Sequence, residues 1–175
     1  MPEPQVNIFV AVGSNIEPQD NIPRALLALK TRQPVIAVSN FYKTAAVDRP
    51  GQPDFLNGVV KIQTVLTPRR LKFDVLRDIE NQLGRVRSSD KYAPRNIDLD
   101  MILYGSLVID EPGISIPDPT IRLYSFVAVP LLELAPELIL PDTHTPLAGE
   151  PVAKLKAGLH PQPEFTDRLR HFICS

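Results

Sequence analysis

GRVRSSDKYAPRNIDLDMILYG, residues Gly84 to Gly105, ends as a strand, and the rest of the fold can be read outward from it. Ile97, Leu99, Met101 and Leu103 alternate first with Asp98 and Asp100 and then with Ile102 and Tyr104. A period of two is that of a strand, so the two aspartates share a face. Carboxylates that close raise each other's pKa unless a cation lies between them. Oxygen ligands on a short Asp-x-Asp suit Mg²⁺, which shares its remaining positions with water and substrate phosphates. Arg85, Arg87, Lys91 and Arg95 lie just upstream and suit the phosphate oxygens that a metal leaves uncovered. Pro94 biases Ala93 toward extended backbone where the basic loop enters the strand. The block therefore suits a nucleoside triphosphate held between metal and basic loop. A bare Asp-x-Asp is more often a solvated salt-bridge face; the density of cations before it favours the phosphate reading.

Outward from this block, Thr67 as N-cap and Pro68 at the first helical position open a helix through Leu71, Val75, Leu76, Ile79 and Leu83, stopped at Gly84. Its end delivers Glu80, Arg85 and Arg87 toward the aspartate strand. Val35 to Tyr42 and Phe55 to Val65 read as strands, and Lys43 to Asp54, with Pro50-Gly51 and Pro53, as a long exposed connection. Val6 to Val12 is an apolar run of strand length ending in the turn Gly13-Ser14-Asn15. A helix capped at Asp20 or Asn21 follows, with Pro23 in its first turn. Strand, helix, strand, strand, helix, strand is the ferredoxin-like α+β pattern, an antiparallel sheet with helices on one face. Catalytic loops would gather on the other face or at one edge. Tyr124 to Leu134 suits a further helix, and the residues after about 150 suit loop and a short amphipathic end.

A chain of 175 residues fits a single domain, here 1–175 with a C-terminal extension over about 150–175. A net charge of −1 argues against a general nucleic-acid or membrane-surface binder and makes the basic cluster a local feature. Cys174 is the only cysteine, so an intrachain disulfide and a cysteine zinc site are excluded. His144, His160 and His171 show no ligand spacing and are expected at the surface. Neither a signal peptide nor a membrane span is expected, and a reducing cytoplasm fits. No Walker pattern occurs, so a nucleotide would be held by another route.

The chain resembles the 6-hydroxymethyl-7,8-dihydropterin pyrophosphokinase family. The family's GRxR element stands here as Gly84-Arg85-Val86-Arg87, and its PRxxDLDIxLYG as Pro94 to Gly105. VNIFVAVGSN, SNFYKTAAVDRPGQPDFLNGVV and IPDPTIRLYSFVAVPLLELAPEL match further family elements in order, over roughly 6–142. The resemblance implies transfer of pyrophosphate from ATP to the hydroxymethyl group of the dihydropterin, releasing AMP, in folate synthesis. Asp98 and Asp100 would hold two Mg²⁺ ions on the ATP phosphates. Arg85, Arg87, Lys91 and Arg95 would contact phosphate, Glu80 the ribose, and Met101, Ser115 and Arg122 the nucleotide. Tyr92 would be the bulky aromatic of a mobile catalytic loop, and Asp98 would orient and deprotonate the attacking hydroxyl. Phe55 and Phe126 would sandwich the pterin, with Asn57 and Thr44, Ala45, Ala46 and Val47 reading its edge. Small-molecule substrates alone are implied, with no nucleic acid or membrane partner, in a monomer or weak homodimer.

Departures from the family pattern bear on efficiency. Asp118 stands where histidine is usual and Tyr124 where arginine is usual, each change removing positive charge near phosphate at a cost of ~1.5–3 kcal/mol. Arg122 is a candidate replacement. Lys91 stands where arginine is frequent, and Ala45-Ala46 replaces a Pro-Pro pair, loosening the pterin-side loop. A catalytically impaired relative that binds pterin or nucleotide is the alternative these changes motivate. A ferredoxin-like RNA-binding module would need exposed sheet aromatics and a broad basic surface, and a metal-dependent nuclease would leave the aromatic pair without a role.

Overall fold

Strand β1 (Val6–Ser14) is apolar on both faces, with Ile8, Val10 and Val12 on one and Phe9 and Ala11 on the other, and this makes it central. The structure, a computed structural model, describes residues 2–175. After β1 come α1 (Pro18–Lys30), β2 (Val35–Val38), β3 (Tyr42–Thr44) and β4 (Phe55–Thr64). A continuous helical stretch follows, made of α2 (Pro68–Arg70), a π-helical segment Leu71–Leu76 and α3 (Arg77–Gln82), and leads to β5 (Asp98–Tyr104). Its start is as expected: Thr67 accepts the Arg70 N–H at 3.3 Å, with Pro68 in the first turn. The hairpin β6 (Ile109–Glu111) and β7 (Ile114–Ile116) comes next, then α4 (Thr120–Leu123) and α5 (Ser125–Leu134). The chain ends with β8 (Ile139–Leu140), β9 (Thr145–Pro146), two 3-10 turns, β10 (His160–Pro161) and α6 (Pro163–Ile173).

The main sheet is antiparallel in the order β10-β3-β4-β1-β5, with β2 also on β4, which is the ferredoxin-like arrangement. Helices cover both faces rather than one. On the first, α1, the stretch 68–82 and α6 bury Ile22, Leu26, Leu71, Ile79, Phe165 and Leu169 against Ile8, Val10 and Val60. On the second, α5 and the 3-10 turns bury Val127, Leu131, Leu147 and Val152 against Phe9 and Val59. Strands apolar on both sides need cover on both sides, and α5 and the chain beyond it supply the second layer.

Local departures have identifiable causes. Helix α1 starts at Pro18, after Glu17 in the left-handed region at φ 42°, so Asp20 and Asn21 lie inside it; Asn21 instead donates to the Ile16 carbonyl at 2.7 Å. The expected strand Val35 to Tyr42 is broken between β2 and β3. There the Ser39 hydroxyl accepts the Val59 N–H at 2.8 Å while the Ser39 N–H reaches the Val59 carbonyl at 2.9 Å. Strand β3 then runs on to a buried Thr44, inside the stretch read as exposed connection. In β5 a bulge leaves Ile102 opposite no partner, Phe9 facing Leu103 and Val10 facing Met101, so Leu103 and Tyr104 exchange the faces that strict alternation gives them. Among the described residues no helix is long and apolar enough to cross a membrane. The three histidines are exposed.

Candidate active site

Strand pairing puts Asp98 opposite Gly13 and Asp100 opposite Ala11, so small residues on β1 leave the carboxylates room. A Cβ at Gly13 would also lie 2.6 Å from the Asn57 side-chain oxygen and would displace that amide. Behind the pair, Glu80 is 2 % exposed. One of its oxygens accepts the Leu99 N–H at 2.9 Å; the other accepts Arg85 at 3.0 Å and also Arg87. This ties the end of α3 to β5 and orients Arg85. Burial raises the Glu80 pKa, opposed by the Leu99 N–H and by Arg85.

The two aspartates, equivalent in sequence, differ in electrostatics. Arg85 donates to one oxygen of Asp98 at 2.5 Å and Arg95 to the other at 2.5 Å. Burial pushes Asp98 up, but the two guanidinium groups outweigh it and hold the carboxyl below its ordinary value. Asp100 is pushed well up by desolvation and by the charges of Asp98, Asp118 and Glu80, with Arg85 the opposing influence. Its side chain nonetheless opens onto the cavity and is exposed, so water moderates that penalty. Asp118 caps the turn into α4, accepting the Thr120 N–H at 2.9 Å and the Thr120 hydroxyl at 2.6 Å, while its own N–H meets the carbonyl of the bulged Ile102 at 3.0 Å. Lys72 donates to the Gly113 carbonyl. Burial and Arg77 lower its pKa, and the charges of Asp100 and Asp118 oppose them.

In front of the aspartates lies a cavity of about 250 Å³. Thr44 to Val47, Phe55, Asn57 and Phe126 line one part; Lys91, Tyr92, Arg95, Asp98 and Asp100 line another. Asn57 donates to the Thr44 hydroxyl at 2.8 Å. The two loops over the cavity are joined. Gln52 donates to the Tyr92 carbonyl at 2.7 Å, Asn15 bonds both the Arg95 N–H at 2.8 Å and Gln52 at 3.2 Å, and Arg49 clamps Asp90 with two bonds of 2.8 Å.

Of the residues singled out from sequence, Arg85, Arg87 and Glu80 adjoin the lining, Arg85 through Asp98 and Arg87 through Glu80, and three lie elsewhere. Met101 is 6 % exposed and packed in the core on the other side of β5. Ser115 is exposed in the β6–β7 hairpin opposite Asp110. Arg122 makes a two-bond pair with Asp142 at 2.9 Å and reaches Thr143 at 3.0 Å, so its guanidinium already has partners outside the cavity lining. Tyr124 itself lines the cavity, stacked on Phe126 with ring centroids 4.9 Å apart. Ala11, Gly13, Thr120 and Val127 also line it and were not foreseen. They carry no chemical signal of their own, and strand register or helix placement alone brings them there.

An antiparallel ferredoxin-like sheet with an aspartate pair at its edge strand, guanidinium groups on one of the pair and an aromatic-walled cavity above defines an enzyme of phosphoryl-group transfer. Residues 9–136 match the family model described as 7,8-dihydro-6-hydroxymethylpterin-pyrophosphokinase, and the chain belongs to this family. It is 37% identical over 141 residues to a 2-amino-4-hydroxy-6-hydroxymethyldihydropteridine pyrophosphokinase of Haemophilus influenzae, covering 79% of this chain and 87% of that protein. The enzyme of the same name from Pseudomonas aeruginosa is 40% identical over 139 residues, with 77% and 84% covered. That from Synechocystis sp. is 38% identical over 135 residues, with 75% and 68% covered.

Proposed function

We propose that the chain transfers the pyrophosphoryl group of ATP to the hydroxymethyl oxygen of 6-hydroxymethyl-7,8-dihydropterin, releasing AMP, in folate biosynthesis. Family membership over residues 9–136 carries the reading. A cavity that combines Phe55 and Phe126 with Asp98, Asp100 and Arg95 supports it. In the reaction the acceptor oxygen bonds to the β-phosphorus as the bond from that phosphorus to the α,β-bridging oxygen breaks. AMP leaves with the bridging oxygen, and the hydroxyl proton passes to water.

Asp98 and Asp100 are the residues that would hold Mg²⁺. The donor set fits, because Asp100 is crowded by Asp98, Asp118 and Glu80 in a way a divalent cation relieves. Bound there, the metal would supply charge neutralisation to the phosphates and the leaving group. Arg85 and Arg95 would orient phosphate oxygens, and Lys91 and Tyr92 would close the loop over them. Phe55 and Phe126 would hold the flat heterocycle while Asn57 and the Thr44–Val47 backbone read its edge. Asp98, kept below the ordinary carboxylate range by Arg85 and Arg95, is a weak base. Its role is then to orient the hydroxyl rather than to remove its proton.

We further place the chain in the cytoplasm, as a single domain and a monomer or weak homodimer; size-exclusion chromatography tests the last. The deciding experiment is AMP release from ATP and Mg²⁺ by the purified chain, with and without the dihydropterin. Pterin-dependent AMP is expected. A folded preparation that makes none would overturn the reading in favour of a relative that only binds.

A further inference from the structure

The family match ends at residue 136, yet the chain beyond it is built into the sheet. Strand β10 extends the edge, with His160 opposite Lys43 and Pro161 opposite Tyr42. Helix α6 packs Phe165, Leu169 and Ile173 into the core. Together they grip the break between β2 and β3. The Phe41 N–H donates to the Thr166 hydroxyl at 2.9 Å, and the Gln162 N–H reaches the Phe41 carbonyl at 2.9 Å. Arg170 donates to the Val38 carbonyl at 3.0 Å and to the Asn40 side chain at 3.1 Å. Phe165 meets Phe41 edge to face, with centroids 5.6 Å apart. From the other face of the sheet Glu133 of α5 accepts the Asn40 N–H at 2.8 Å and the Tyr42 hydroxyl.

The gripped residues lead to the cavity. The Phe41 ring lies 2.6 Å from where a Cβ on Gly58 would be, and Gly58 lines the cavity. Tyr42 pairs with Asn57, whose side chain holds Thr44. The aspartates are remote from this grip, since β4 and β1 separate β3 from β5.

We propose that the β10–α6 segment positions the pterin-side wall, with Thr166 and Arg170 acting as positioning residues for pterin recognition through Phe41, Asn57 and Thr44. This rests on the reading above that Asn57 and Thr44 border the pterin. A backbone N–H left unpaired in the core moves toward another partner, and Phe41 and β3 move with it. Small displacements of a binding wall are costly in affinity.

The test compares Thr166→Val, Thr166→Ser and Arg170→Gln in the full chain. Thermal melts establish folding, fluorescence titration gives pterin Kd, and steady-state kinetics give both KM values and kcat. Thr166→Val is expected to raise pterin Kd and KM roughly tenfold, with kcat at saturation and the KM for ATP within about twofold. Thr166→Ser restores the wild-type values, and Arg170→Gln shows a smaller rise in the same direction. Unchanged pterin affinity in folded Thr166→Val overturns the proposal, and so does an equal rise in both KM values. If Thr166→Val does not fold, Arg170→Gln decides by the same criteria. Asn57→Ala separates the two levels: weakened pterin binding there with none in Thr166→Val refutes the positioning role alone. No effect of Asn57→Ala refutes the placement of the pterin, and the positioning role with it.

Discussion

Replacing Asp100 by Asn is expected to stabilise the chain at neutral pH while removing its turnover. Desolvation and three neighbouring carboxylates raise the pKa of Asp100 above its ordinary value of 3.8. A group whose folded pKa is raised contributes stability below the unfolded value and loses it as pH climbs through the folded one. At pH 7 the ionised Asp100 therefore works against the fold, and an amide of the same shape does not. Side chains two residues apart on one face of a strand are ~7 Å apart. One like-charge pair at that distance and an effective dielectric of ~20 is worth ~2 kcal/mol. Arg85 and Arg95 already compensate much of the Asp98 charge, and water reaches Asp100, so the net is discounted to ~1 kcal/mol. For a chain of this length that is ~2–4 °C in melting temperature. Calorimetry without Mg²⁺ should show Asp100→Asn melting higher than the wild type at pH 7. The gap should close as pH falls through the raised folded value toward the ordinary 3.8, because the wild-type carboxyl then carries its proton in both states. AMP formation should fall by roughly 100-fold or more, ~2.7 kcal/mol of barrier. A variant melting lower than the wild type at pH 7, or by the same margin at both pH values, would refute the electrostatic reasoning.

Asp98→Asn keeps the shape but weakens the hold of Arg85 and Arg95; kcat is expected to fall without a shift in the pH dependence of the rate, and a lost ionisation in the pH profile would restore Asp98 as the base. Glu80→Ala leaves the Leu99 N–H unpaired and strips a buried partner from Arg85 and Arg87, which should cost ~3–5 kcal/mol in denaturant unfolding. Gly58→Ala sets a Cβ 2.6 Å from the fully buried Phe41 ring and should lower stability by ~1–3 kcal/mol. Arg122→Ala breaks the pair with Asp142 and should cost ~1 kcal/mol or less, leaving the KM for ATP within about twofold; a large rise in that KM would place Arg122 on the nucleotide after all.

How legible the molecule was depends on the range of the interactions that decide each feature. The Asp98/Asp100 face follows from the period of two, and the start of α2 from Thr67 and Pro68, because both are local. The break after Val38 was invisible, since alternation continues through Phe41 and Tyr42, and the interruption is made by Ser39 with Val59, twenty residues away. Strand β10 is two residues long and contains a proline, so only its pairing with β3 defines it. At the site, charged and aromatic residues announced themselves, whereas Ala11 and Gly13 matter for being small opposite the aspartates. Met101 is the instructive case. The resemblance implies nucleotide contact there, and the alternation that joins Asp98 to Asp100 sends the Met101 side chain to the other face, where it is buried, leaving its backbone for such a contact.

The way a triphosphate would be held depends on which of the candidate cations are already paired. Several of the cations that suggested phosphate in the sequence already have partners: Arg85 and Arg95 on Asp98, Arg87 on Glu80, Arg122 on Asp142. Lys91 is different, lying exposed over the Tyr92 ring at 4.9 Å. Under the proposed function, phosphate contacts to Arg85 and Arg95 use N–H groups not already given to Asp98, or are made in exchange for those bonds. Exchange of one anionic partner for another has a smaller net Coulomb gain than addition of a partner to a free cation. The arginines are also oriented in advance by Glu80 and Asp98, so less side-chain entropy is lost when phosphate replaces carboxylate. The site thus gives up raw attraction in return for preorganisation, which is the contribution that raises rate in a reaction governed by positioning.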